Sequence, residues 1–149
     1  MKLRLYLDTS VITAHFDARR PERQAETQTF WRQLPQFEVS ISDLTAVELQ
    51  ETADARLRKE MEEIVRPFSV IHLNAEMHEL ARYYLEQGIF PLAVLNDALH
   101  VACAVVSRQD VLVSWNFRHL VNRRRRTMIN EANAMRRYPT IEIVAPPEV

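Results

Sequence analysis

The sequence predicts an α/β fold built on a mainly parallel sheet. Three observations carry that expectation. Short apolar segments with strand character recur at residues 3–7, 37–42, 68–73, 111–115 and 141–144. The stretches between them show apolar residues at helical spacing, so the strands are joined by helical crossovers, as parallel strands require. One of these stretches, residues 92–106, is apolar nearly all round and belongs in a core.

Each element has a local cause. Leu3-Arg4-Leu5-Tyr6-Leu7 alternates and stops at Asp8, a first strand. Residues 21–34 place Phe30, Trp31 and Leu34 at helical spacing. Residues 37–42 form a second strand, and Ser42 or Asp43 caps the helix that follows. From Ala46 the apolar residues fall at 46, 49, 53, 57, 61 and 64 or 65, a helical stripe that ends before Pro67. Residues 68–73 are a third strand. Asn74 caps a helix that runs through Leu85, and Gly88 stands where a C-cap belongs. A fourth strand covers residues 111–115, a long arginine-rich helix or helix pair covers 117–137, and a last strand at 141–144 is closed by Pro146-Pro147.

Composition narrows the function. With 149 residues, 47% apolar and 26% charged, residues 1–149 are expected to form one globular domain. The single cysteine, Cys103, excludes an intrachain disulfide and suggests a cytoplasmic protein. The single glycine, Gly88, excludes the phosphate-cradling loops that need several glycines. No apolar run approaches the roughly 20 residues that span a bilayer, so no membrane is expected, and the first ten residues are too charged for a secretory signal. The net charge of −1 hides an uneven distribution. Residues 118–137 carry seven arginines against one acid, and residues 43–63 carry seven acids against three bases.

In parallel sheets ligands bind outside the carboxyl ends of the strands. Asp8 follows the first strand and Asn116 follows the fourth, so both sit at that edge. Asp8 reads equally well as a helix cap. Asp97 lies among apolar neighbours, where a charge needs a partner or a metal, the alternative being a first-turn acid favoured by the helix dipole. Glu48 sits beside apolar positions 46 and 49, with Glu51 and Asp54 further along as competitors for any role, and taken alone it reads more simply as part of a solvated helix face. If Asp8, Glu48 and Asp97 converge, their repulsion must be offset. Two charges about 4 Å apart cost roughly 4 kcal/mol at an effective dielectric of about 20. Protonation, arginine or a cation resolves that cost. An all-oxygen donor set favours Mg²⁺ or Mn²⁺ over zinc, and such an ion suits phosphodiester cleavage.

Four motifs then occur in order: Leu-Asp-Thr-Ser at residues 7–10, Ala-Val-Glu-Leu at 46–49, Asn-Asp-Ala-Leu-His-Val-Ala at 96–102 and Ser-Trp-Asn-Phe-Arg-His-Leu at 114–120. Together they resemble the PIN domain family across essentially the whole chain, and in particular its small ribonuclease toxins of the virulence-associated protein C type. The resemblance implies a Rossmann-like three-layer α/β/α sandwich and an RNA endonuclease dependent on Mg²⁺ or Mn²⁺. It assigns Asp8, Glu48, Asp97 and Asn116 as catalytic and metal-binding positions. It also implies an antitoxin partner and a homodimer. Asn116 departs from the aspartate common in the family and leaves three formal charges in place of four. A regulatory or binding protein with weak or no nuclease activity is the alternative.

Around these motifs, Thr9 and Ser10 are expected to hydrogen-bond Asp8 or the side chain at 116. His100 and His119 read more simply as core-edge histidines. Arg123, Arg124, Arg125 and Arg126 read equally as RNA phosphate contacts or as a solvated helix face. Trp115 and Phe117 read as core residues rather than stacking platforms, with at least one pointing inward. A phosphoacceptor receiver is disfavoured because the only lysines are Lys2 and Lys59. A haloacid-dehalogenase-like phosphatase is disfavoured because Asp8-Thr9-Ser10 lacks the second aspartate.

Overall fold

The computed structural model describes residues 1–149. In chain order the elements are β1 (Arg4–Leu7), α1 (Thr9–Phe16), α2 (Pro21–Gln33), β2 (Glu38–Ser42), α3 (Asp43–Gln50), α4 (Ala55–Val65), β3 (Ser69–Ile71), α5 (Ala75–Glu86), α6 (Leu95–Val106), β4 (Val111–Val113), α7 (Arg123–Met135) and β5 (Glu142–Val144). All adjacent strands pair in parallel, in the order β3-β2-β1-β4-β5. Helices cover the sheet in a three-layer α/β/α sandwich.

The chain builds outward from β1 to β3 on one side, then returns to place β4 and β5 on the other. The crevice lies where that direction reverses, between β1 and β4. Tyr6 on β1 stands opposite Ser40 on one side and Leu112 on the other. Leu5, Tyr6 and Leu7 are fully buried, because the central strand is covered on both faces. The apolar residues of α6 complete the core, with every residue from Ala98 to Val105 buried. Burial pushes the Cys103 thiol up to about 12, so it stays protonated and unreactive. No helix is long and apolar enough to cross a membrane.

Three elements differ from the sequence reading. α1, which Asp8 caps, has no periodic stripe in the sequence to define it: it has only eight residues, and its buried side chains are Val11, Ile12 and Ala14. The stripe from Ala46 to Val65 is two helices. Residues 51–54 break it, and Asp54 starts α4 by accepting from the backbone N–H of Arg56 at 3.0 Å and Leu57 at 3.2 Å. Within α3 the inward face is Leu44, Thr45 and Leu49, while Ala46 and Val47 are exposed, so the apolar spacing read from Ala46 onward does not follow the buried face. Finally, residues 117–122 form a turn. α7 begins only at Arg123, where Asn122 Oδ1 accepts from Arg125 N at 2.8 Å.

Asn74 acts as the sequence predicts: its Oδ1 accepts from Met77 N at 2.9 Å and closes the first turn of α5. Asn74→Ala is expected to cost about 1 kcal/mol. The loss should appear as a lower urea midpoint with an unchanged slope.

Candidate active site

Asp8 leaves β1 at the sheet crevice and is 4% exposed. It caps α1, and the same carboxylate ties β1 to β4. Its Oδ1 accepts from Ser10 N at 3.1 Å and Ser10 Oγ at 2.5 Å, and its Oδ2 accepts from Ser114 Oγ at 2.6 Å. Each serine spends its one proton on Asp8, so its oxygen is left as an acceptor. Ser10 Oγ accepts from Trp115 N, and Ser114 Oγ accepts from Asn116 N, both at 2.9 Å. The turn bearing Asn116 is thereby fixed against Asp8.

Glu48 reaches the same edge from α3. Its Oε1 accepts from Thr9 Oγ1 at 2.6 Å and stands 2.6 Å from His100 Nε2. A carboxylate only accepts, so Nε2 carries the proton of that contact. The other ring nitrogen, Nδ1, lies 2.6 Å from the Tyr6 hydroxyl, which lies 2.7 Å from Ser42 Oγ. A buried polar chain thus runs from β2 through β1 and α6 to Glu48. Thr9 therefore serves Glu48 and not Asp8, because successive side chains in the first turn of a helix point about 100° apart.

Asp97 comes from the first turn of α6. Its Oδ2 accepts from Asn116 Nδ2 at 3.2 Å and lies 3.2 Å from His119 Nδ1. Asn116 Oδ1, the amide atom suited to a metal, accepts from His119 N at 2.9 Å. Asn116 is therefore turned to hold Asp97 and to close the turn after β4.

Burial raises the Asp8 carboxyl above its ordinary range, Asp97 adds to that, and His100, Ser10 and Ser114 oppose it. Burial likewise raises Asp97, with Glu48 adding to the shift and His100, His119 and Asn116 opposing it. Burial also acts on Glu48, but the contacts from His100 and Thr9 outweigh it and hold the carboxyl below its ordinary range. The acids thus feel one another, and a cation between them would relieve the strain. Their all-oxygen donor chemistry fits a hard divalent ion. No three acidic, histidine or cysteine side chains stand at ligating distance around one point. The acids meet as coupled neighbours and not as a preformed cage.

The PIN domain family model matches residues 5–123, a span that contains all four of these positions. The chain belongs to the PIN domain family. Among curated proteins none matches it. Solved structures share its fold at low identity. VapBC-1 from nontypeable Haemophilus influenzae aligns with a TM-score of 0.61 and 16% identity, covering 97% of this chain and 98% of that one. VapBC2 from Rickettsia felis, bound to a DNA fragment from their promoter, gives 0.58 and 13%, with 96% and 98% covered. A toxin–antitoxin complex from Klebsiella pneumoniae gives 0.59 and 19%, with 77% and 88% covered.

In this PIN domain the arginine run does not behave as one unit. Arg126 donates to Ile143 O at 3.0 Å, a contact that binds α7 to β5. Arg125 lies 5.0 Å from the Phe90 ring centre. Arg123 and Arg124 are exposed. Trp115 is buried and donates Nε1–H to Thr27 Oγ1 at 2.8 Å, whereas Phe117 is 47% exposed.

Sequence reasoning missed Tyr6, His100 and His119 as parts of the site. Alternation on β1 marks Tyr6 only as a core residue. A histidine on an apolar helix looks the same whether it faces a carboxylate or a void. The usable signal was the spacing of Asp97 and His100, three residues apart and so on neighbouring helix positions.

Proposed function

We propose that this PIN domain is a metal-dependent RNA endonuclease that hydrolyses phosphodiester bonds, and the toxin of a type II toxin–antitoxin pair. One observation carries the nuclease reading. Acids from three separate segments meet at the sheet crevice: Asp8 is joined to Asp97 through Ser114 and Asn116, and Glu48, held by His100, is felt by Asp97 as a neighbouring charge. These three would hold Mg²⁺ or Mn²⁺, with Asn116 completing the site by fixing Asp97. A bound ion supplies positive charge to the phosphoryl oxygens and acidifies the attacking water.

The chain's own residues do the rest. Ser10 and Ser114 lock Asp8 in one rotamer. Thr9 and His100 keep Glu48 ionised and aimed, so that it can take the proton of the attacking water as the new P–O bond forms. The bond to the leaving oxygen breaks, and that oxygen takes up a proton. Exposed Arg123 and Arg124 are offered to RNA phosphates.

The toxin reading draws on the similar solved structures, which are toxin–antitoxin and VapBC assemblies. Val47, Leu92 and Leu95 are exposed within a few residues of Glu48 and Asp97. They offer apolar surface to an antitoxin or to a second copy of the chain in a homodimer. A second reading, a binding protein with little nuclease activity, is favoured by the uncharged, inward-held Asn116.

Incubation of the purified protein with single-stranded RNA decides between them. Cleavage is expected with Mn²⁺ or Mg²⁺, and none is expected with EDTA or in Asp8→Asn. An inert wild-type protein in Mn²⁺ would transfer the case to the binding reading.

A further inference from the structure

A groove of about 370 Å³ runs beside the acids, between the end of α1, the start of α2 and the turn after β4. Ser10 and Asn116 belong to both the groove and the acid network, so the two are continuous. Three guanidinium groups line it, those of Arg19, Arg20 and Arg23. Its one acid, Asp17, is already paired with Arg19 at 3.0 Å. Arg20 and Arg23 form no ion pair with any carboxylate. Two positive charges therefore stand without a close carboxylate partner beside the acidic centre, with Asp17 feeling Arg20 only at longer range.

The aromatic residues at the groove add a second chemistry. The Arg23 guanidinium packs 4.8 Å from the Trp115 ring centre and 5.7 Å from that of Phe117. Trp115 and Phe117 meet edge to face, with centroids 6.0 Å apart. Trp115 is buried, but Phe117 is 47% exposed, a large apolar ring held in place at the rim. A single-stranded nucleic acid alternates anionic phosphates with π faces, and this groove has guanidinium groups along its lining and the Phe117 ring just outside it, against Arg23 and Trp115. An acidic peptide would satisfy the arginines and leave the ring unused.

We propose that this groove is the RNA subsite flanking the scissile bond, with Arg20 and Arg23 contacting phosphates and Phe117 stacking one base. The assignment rests on the nuclease reading above. It adds substrate contacts at the start of α2 and the turn after β4 to those offered by Arg123 and Arg124 of α7.

The test is the binding of a fluorescently labelled single-stranded decaribonucleotide to the full chain in EDTA, titrated at several salt concentrations. Arg20→Gln is expected to flatten the log–log salt slope by about 0.7, and adding Arg23→Gln should flatten it by about as much again. Phe117→Leu is expected to weaken binding about tenfold with an unchanged slope, because stacking releases no counterions. Arg20 is exposed, so its variant tests the proposal even if the Arg23 variant folds poorly. Wild-type slope and affinity in both Arg20→Gln and Phe117→Leu would overturn the subsite while leaving Mn²⁺-dependent cleavage untouched. Displacement of RNA by oligoglutamate, with Phe117→Leu neutral, would also overturn it. A wild-type chain that neither binds nor cleaves RNA would remove the nuclease reading as well.

Discussion

Asp97→Asn is expected to lower RNA cleavage by about 100-fold or more and, in metal-free protein at neutral pH, to raise the melting temperature. The two effects have one origin. Burial and the nearby Glu48 raise the Asp97 carboxyl above its ordinary range despite help from His100, His119 and Asn116. A carboxyl raised on folding costs stability when ionised. The cost is full above the folded pKa and disappears as pH falls below the unfolded value. Asparagine removes the charge and keeps an oxygen for the Asn116 amide. Its advantage should therefore be present at pH 7 and shrink towards pH 3. Mn²⁺ should reverse the order, because ligand binding stabilises only a protein that holds the ion. Melting curves at both pH values, with and without Mn²⁺, check this. A variant that melts lower at pH 7 without metal, or that cleaves at the wild-type rate, would contradict it.

His100→Ala is expected to cost about 2–4 kcal/mol of stability, more than any surface change in the chain. His100 is 2% exposed and joins Glu48 to Tyr6. Alanine leaves a cavity, deprives the Tyr6 hydroxyl of one partner and leaves Glu48 with Thr9. Because Glu48 keeps some solvent contact, its share of the cost is moderated.

The pH dependence carries a signature. Glu48 is held below its ordinary range, so its contribution is present above the unfolded carboxylate pKa and is lost as pH falls through the lower folded value. His100→Ala should erase most of that acid-side loss. His100→Gln, which restores one donor, should recover part of it. Urea unfolding between pH 3 and 7 measures both effects. An alanine variant as stable as wild type would show that the buried chain from Ser42 to Glu48 contributes nothing.

Much of the architecture is local and therefore legible. Alternation placed β1 and its end at Asp8, and a single amide at Asn74 started α5. The apolar girth of α6 marked a buried helix. The split between α3 and α4 was not legible, because apolar residues stayed in phase across residues 51–54 and only the Asp54 cap betrays the break.

The site divides along the same line. That Asp8, Glu48, Asp97 and Asn116 lie near one sheet edge follows from strand ends, helix starts and four ordered motifs, all of which are properties of neighbouring residues. Which group each side chain grips does not follow, because the partners lie far apart in the chain. Glu48 meets His100 across 52 positions, and Asp8 meets Ser114 across 106. Such pairings depend on how helices settle on a twisted sheet, and periodicity carries no record of that. Packing alone gave Thr9 to Glu48, turned the Asn116 oxygen away, drew two histidines among the acids and tied Arg126 of the α7 run to β5. The order of elements and the inventory of charges are written in one dimension; the direction of each charge exists only in three.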